Sequence, residues 1–124
     1  MGRKIATFED LINKPARTRE IVLKVSEDAE VSVKLKALGS KSYDDLLGQH
    51  PPTPEQKREG QTYNADTFAP ALIAACAVEP ALTPTEAKQI WNSAEWSRGE
   101  VSELFIACVE VCSRGLDVPF TETV

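Results

Sequence analysis

The stretch Arg19-Glu20-Ile21-Val22-Leu23-Lys24-Val25-Ser26-Glu27-Asp28-Ala29-Glu30-Val31-Ser32-Val33-Lys34-Leu35-Lys36 decides how the N-terminal part folds. Ile21, Leu23 and Val25 alternate with Glu20, Val22, Lys24 and Ser26; Val31, Val33 and Leu35 alternate with Ser32, Lys34 and Lys36. Successive side chains of a strand point to opposite faces, so two period-2 runs joined by a short polar loop predict a β-hairpin. One face of it is aliphatic, the other lysine-rich and wet. A two-stranded hairpin is marginal alone, so the aliphatic face must pack on helices or on another chain. Upstream, Thr7-Phe8-Glu9-Asp10-Leu11-Ile12 fits a single helical turn, with Thr7 as N-cap and Asp10 three residues on; Pro15 ends it. Residues 1–39 therefore read as a β-rich part.

Beyond residue 40 the period changes. Ser42-Tyr43-Asp44-Asp45, Thr53-Pro54-Glu55-Gln56, Thr83-Pro84-Thr85-Glu86 and Ser97-Arg98-Gly99-Glu100 each set a hydroxyl three residues before an acid or amide. This is the start signal of a helix, strengthened in two cases by proline at the first helical position. Another helix is expected from about Thr67, through Leu72, Ile73 and Cys76, to a stop at Glu79-Pro80. The Thr83 helix sets Ala87, Ile90, Trp91 and Ala94 on one face. The Ser97 helix carries Val101, Leu104, Phe105, Cys108 and Cys112 as one stripe, with Gly115 and Pro119 as its stop signals. His50-Pro51-Pro52-Thr53-Pro54 reads as a stiff strut between the two parts. The expected fold is α+β: an N-terminal β-hairpin on a C-terminal bundle of about four to five short helices. It forms a single domain over 1–124, helical over 40–120, with a tail at 121–124.

The chain has 124 residues, 42% hydrophobic and 27% charged, which suits one ordinary globular domain. Its net charge is −5, and that charge is uneven. Residues 1–60 hold 11 basic and 10 acidic side chains, whereas residues 61–124 hold 3 and 9. Phosphate-backbone binders gather positive charge, so no nucleic-acid partner is expected. The longest uncharged run, Thr67–Val78, has 12 residues, short of the roughly 20 that span a bilayer, so no membrane partner is expected either. The start shows no secretory signal, and Ala6 stands where a myristoylation signal needs Ser or Thr. Three cysteines without a CxxC suit reduced thiols in a cytosolic protein.

No catalytic, cofactor or metal motif is present. Asp44 and Asp45 are neighbours, which point about 100° apart on a helix, so they read as a solvated helix start. Cys76, Cys108, Cys112 and His50 add up to a Cys3His zinc count, but short-spaced ligand pairs are absent and buried core cysteines explain the pattern. His50 reads as hydrogen-bonded at a helix end before Pro51. Trp91 belongs to an apolar stripe. Trp96 lies just before the Ser97 cap, where it either staples against Val101 or serves a partner surface. The candidate partner-binding residues are Trp96 and the hairpin's Ile21, Leu23, Val31, Val33 and Leu35.

Three strings carry a family resemblance: Tyr43-Asp44-Asp45-Leu46-Leu47 running into His50-Pro51-Pro52-Thr53; Phe68-Ala69-Pro70-Ala71-Leu72-Ile73-Ala74-Ala75-Cys76-Ala77-Val78-Glu79-Pro80; and Trp91-Asn92-Ser93-Ala94-Glu95-Trp96-Ser97-Arg98-Gly99-Glu100. In order and spacing, over about residues 17–120, the chain resembles the tail assembly chaperones of long-tailed (siphovirus-type) bacteriophages and prophages. The resemblance implies a non-enzymatic protein without cofactors that binds the helical tape measure protein, keeps it soluble and helps recruit tail tube subunits. It implies the cytoplasm of the bacterial host, absence from the mature virion, and self-association into a homo-oligomer. The family often adds a longer product by translational frameshift, whose extra segment contacts the tail tube protein; a chain ending at Val124 looks like the short form. Two other classes stand beside this expectation: a prophage-encoded adaptor or inhibitor domain, and a small thiol-dependent enzyme using one cysteine with His50.

Overall fold

The N-terminal alternation becomes two strands, β1 (Thr18–Ser26) and β2 (Ala29–Lys36), joined by the two residues Glu27 and Asp28. In the antiparallel register Ile21 faces Val33, Leu23 faces Val31 and Arg19 faces Leu35. The register slips between Lys24 and Ser26, which makes Val25 a bulge. Val25 therefore leaves the aliphatic face where the alternation put it, and it is exposed. A third strand, β3 (Ala77–Glu79), lies on the other side of β2, pairing Leu35 with Ala77 and Lys34 with Glu79. The hairpin is thus part of a three-stranded antiparallel sheet of order β1-β2-β3, with β2 central. This computed structural model describes residues 5–113.

Six helices occur among the described residues: α1 (Phe8–Ile12), α2 (Ser40–Gly48), α3 (Pro54–Arg58), α4 (Ala65–Cys76), α5 (Pro84–Trp91) and α6 (Arg98–Ser113). Reciprocal capping boxes start α1, α3 and α5, with Thr7–Asp10, Thr53–Gln56 and Thr83–Glu86 exchanging side-chain and backbone bonds. Ser97 and Glu100 do the same for α6, at 3.2 and 2.7 Å. The other two starts differ from expectation. α2 begins after Gly39 rather than Ser42, placing Ser42 inside the helix. α4 begins after Asn64, whose side chain accepts from the Asp66 N–H, rather than at Thr67. It ends at Cys76 because Ala77–Glu79 are drawn onto the edge of β2. α5 ends at Trp91, so Ala94 lies beyond it, exposed. The proline-rich loop links α2 to α3, and the turn after α3 uses Gly60 at φ 87°, a conformation glycine adopts without a Cβ penalty. The expected stop residues Gly115 and Pro119 and the tail at 121–124 lie outside the described residues.

One continuous buried cluster joins the sheet to the helices. Leu23, Val33 and Leu35 contribute from the sheet, and Phe68, Ala69, Leu72, Ile73 and Cys76 from α4. Ala87 and Trp91 contribute from α5, and Val101, Leu104, Ala107, Cys108 and Val111 from α6. α6 lies against both the sheet and α4, which is why its buried stripe is wider than the sequence pattern suggested and takes in Ala107 and Val111. Arg19 on the inner sheet face reaches Glu110 of α6 at 2.9 Å. Phe68 is the aromatic centre: Tyr43, Tyr63 and Phe105 meet it edge-on at 5.8, 5.3 and 6.1 Å between ring centroids. Trp91 extends the cluster through Phe105, at 6.0 Å, and carries the Arg98 guanidinium 4.8 Å above its ring.

Candidate functional site

The hairpin face expected to meet a partner is largely spent on the protein's own core. Leu23, Val33 and Leu35 are buried under the helices, and Ile21 is half-buried against them. Of that row only Val31, beyond the reach of the helices, is exposed. Trp96 is half-buried against the same core. It lines a small groove with Val22, Leu23, Lys24, Glu30, Glu100 and Glu103, so Trp96 and Leu23 do come together at the hairpin end of α6.

The cysteines converge from two helices. Cys76 at the end of α4 and Cys112 in the last turn of α6 bring their sulfurs to 3.7 Å, and the Leu38 N–H donates to Cys112 Sγ at 3.4 Å. Hydrogen bonding to Cys108, with burial, pushes the Cys76 thiol up to about 12. The bond to Cys76, then burial, pushes Cys112 up as well. Protonated thiols are poor nucleophiles and poor metal ligands. Among the described residues no group of three or more His, Cys, Asp and Glu side chains is arranged to hold a metal ion.

His50 sits at the end of α2, its N–H on the Leu47 carbonyl at 3.0 Å and its Nδ1 2.9 Å from the Thr67 hydroxyl. That hydroxyl lies 3.2 Å from the Asn64 carbonyl, to which it donates. Nδ1 is then left to donate to Thr67, which makes the pair a brace between α2 and α4 and not a base beside a nucleophile.

The thiol cluster sets a pH dependence. Folded Cys76 keeps its proton up to about 12, while an unfolded thiol loses it near 9.0, so the folded state binds more protons between those values. The stability this thiol contributes is fully present below pH 9 and is lost as pH rises through that window. Melting temperatures measured across it should drop progressively, and Cys76→Ala should drop less steeply. Native thiols should also react slowly with iodoacetamide at pH 8 and fast in denaturant.

Two apolar features are exposed that the sequence pattern did not single out. From Ile5 to Ala16 every residue is exposed, and α1 buries nothing. Phe8, Leu11 and Ile12 lie at i, i+3 and i+4, with Ile5 three residues earlier, at 75%, 68%, 64% and 95% exposure. They form an unpacked apolar stripe on a short arm. The arm joins the body at Arg17, whose carbonyl accepts from the Ala37 N–H at 2.8 Å. The signal was present in the spacing after the Thr7 cap, but one turn is too short to show whether its stripe finds a core. The second feature is the open side of β1. There Arg19, Ile21, Val22, Leu23, Ile106 and Glu110 line part of a groove of about 430 Å³ between strand and α6.

No described helix is long and apolar enough to cross a membrane. No family model, curated protein or solved structure matches this chain.

Proposed function

We propose that this protein is a tail assembly chaperone of the long-tailed bacteriophage type, which binds the tape measure protein and keeps it soluble until tail tube subunits enclose it. The observation that carries the reading is the arm: four large apolar side chains, Ile5 ahead of the Thr7 cap and Phe8, Leu11 and Ile12 on the single-turn helix, are exposed and belong to no core among the described residues. Such a stripe suits a client that presents apolar helical stripes, because the two lose exposed area together. The three strings behind the family resemblance support it differently. They fall on α2 and its proline loop, on α4 and β3, and on the α5–α6 junction, where Tyr43, Phe68, Leu72, Ile73 and Trp91 pack into the aromatic and aliphatic core. Their likeness is therefore one of fold, and the client surface is carried elsewhere.

The acidic second half keeps a coated client soluble through like-charge repulsion. Many copies along one long client gain avidity from weak individual contacts, so the protein works as a homo-oligomer. In the family this chain resembles, contact with the tail tube protein is often made by the extra segment of a longer, frameshifted product. On this reading the protein works in the cytoplasm of the bacterial host and is absent from the finished virion.

Co-expression with the tape measure protein of the same tail gene cluster tests the proposal. A soluble complex should be recovered, and Phe8→Asp with Leu11→Asp should weaken it by about tenfold or more, as loss of apolar anchors does. The same pair should leave melting almost unchanged, within about 0.5 kcal/mol, because neither side chain packs on the body. A tape measure protein that stays insoluble beside its partner removes the proposal's support.

A further inference from the structure

We propose that β1 pairs with β1 of a second copy of this chain, antiparallel about a two-fold axis at Val22, joining two three-stranded sheets into one of six strands. The inference starts from an open edge. β1 is the outer strand of the sheet, nine residues long without proline, and no described residue pairs with its outer side. A strand in this position offers unpaired N–H and C=O groups to a further strand.

Which groups it offers is fixed by the register. The Ala37 N–H donates to the Arg17 carbonyl, and Arg17 stands opposite Ala37 in continuation of the pairing Thr18–Lys36. In an antiparallel ladder the bonded residues alternate, so Arg19, Ile21 and Leu23 also turn their backbone toward β2. Thr18, Glu20, Val22 and Lys24 turn theirs toward the open side.

A two-fold contact is self-complementary, and the sequence here has that property. With the axis at Val22, Val22 faces Val22 of the second copy, Glu20 faces its Lys24, and Lys24 faces its Glu20. These are the residues whose backbone groups are free, so each facing pair exchanges two backbone hydrogen bonds. On the helix side of the sheet, Ile21 faces Leu23 of the second copy, beside the half-exposed Ile106 that borders the groove.

Charge selects this register. On the outer face Glu20 stands opposite Lys34, which lies 3.9 Å from Glu79, and Lys24 stands opposite Glu30. Pairing at Val22 continues the alternation across both sheets: Glu79, Lys34 and Glu20, then Lys24 and Glu30 of the second copy. An axis at Glu20 or at Lys24 uses the same free backbone groups but sets like charges directly opposite, which is destabilising. An axis at Ile21 or at Leu23 uses them too but leaves Glu20 and Lys24 facing uncharged residues, without the two opposite-charge pairs. Charged residues on an edge ordinarily ward off other strands; here they favour a strand that presents Lys and Glu in the reverse order over one that sets like charges against them.

The pairing is tested on the isolated protein, so its failure leaves client binding standing, and failure of client binding leaves the pairing standing. Sedimentation velocity over a concentration series should show a dimer. Val22→Pro should be monomeric with unchanged circular dichroism, since the N–H it removes points away from β2. Glu20→Lys alone and Lys24→Glu alone should each be monomeric, because each faces itself with like charges. An equimolar mixture of those two variants should recover the dimer, since each copy then meets the opposite charge at both positions. A wild-type monomer throughout the series, a Val22→Pro dimer, or a mixture no more associated than its components overturns the proposal.

Discussion

Phe68→Ala is expected to lower the free energy of unfolding by about 3–5 kcal/mol, the range for deleting a fully buried aromatic ring. Phe68 is essentially inaccessible and stands where three elements meet: Tyr43 from α2, Tyr63 from the turn before α4, and Phe105 from α6. Edge-to-face pairs of this kind add to the area they bury, at about 0.5–1.5 kcal/mol each. The neighbours have little freedom to collapse into the space, because Trp91 backs Phe105 and the His50–Thr67 brace holds the end of α2 against α4. A domain of this size has about 5–15 kcal/mol in total, so the loss should appear as a melting temperature lower by on the order of 10–20 °C. Thermal and denaturant unfolding measure it directly. A drop within the range of surface substitutions would mean that the aromatic cluster does not hold the helices together.

Leu35→Ala is the second large effect, expected at about 2–5 kcal/mol. Leu35 is fully buried in the central strand, between Arg19 of β1 and Ala77 of β3. Truncating it opens a cavity where the sheet, α4 and α6 converge, and strands held on both sides cannot close over it. Val31, on the same strand and the same face, supplies the contrast. It is exposed, so Val31→Ser should stay within about 0.5 kcal/mol. Equal costs at the two positions in denaturant melts would contradict the register.

That contrast also shows what the sequence made legible. Alternation assigns Val31, Val33 and Leu35 to one face, and that face is the one turned to the helices. It carries no information on how far along the strand the covering helices reach, so Val31 and Leu35 look alike as letters. The capping boxes at Thr7, Thr53, Thr83 and Ser97 were readable because cap and acceptor lie within four residues. Ser42 carried the same spacing to Asp45 without acting as a cap. The helix is already running when the chain reaches it, and Asp45 bonds to Lys41 at 3.2 Å instead.

β3 was invisible for a different reason. Three residues have no period to read, and Ala77–Glu79 follow a helix without any breaker until Pro80. Only the free side of β2, some forty residues earlier, makes them a strand. The candidate site was half legible. The hairpin face was correctly seen as needing cover, and the helices supply most of it. The arm and the open side of β1 depend on where packing stops, which is a property of the assembled chain.

The placement of α6 has a consequence for biosynthesis. The hairpin leaves the ribosome early, whereas α6, which covers its aliphatic face, is the last of the described elements to be made. Until residues 98–113 emerge, Leu23, Val33 and Leu35 have no complete roof, and β2 gains its third strand only once α4 is finished. A nascent chain arrested before α4 therefore displays a sticky hairpin with two open edges, and one arrested before α6 still lacks the helix that covers its aliphatic face. These are the forms most exposed to aggregation and to proteases. Quality control of this protein is decided at its C-terminal helix: a copy that lacks it is marked by the surface its N-terminal third leaves uncovered.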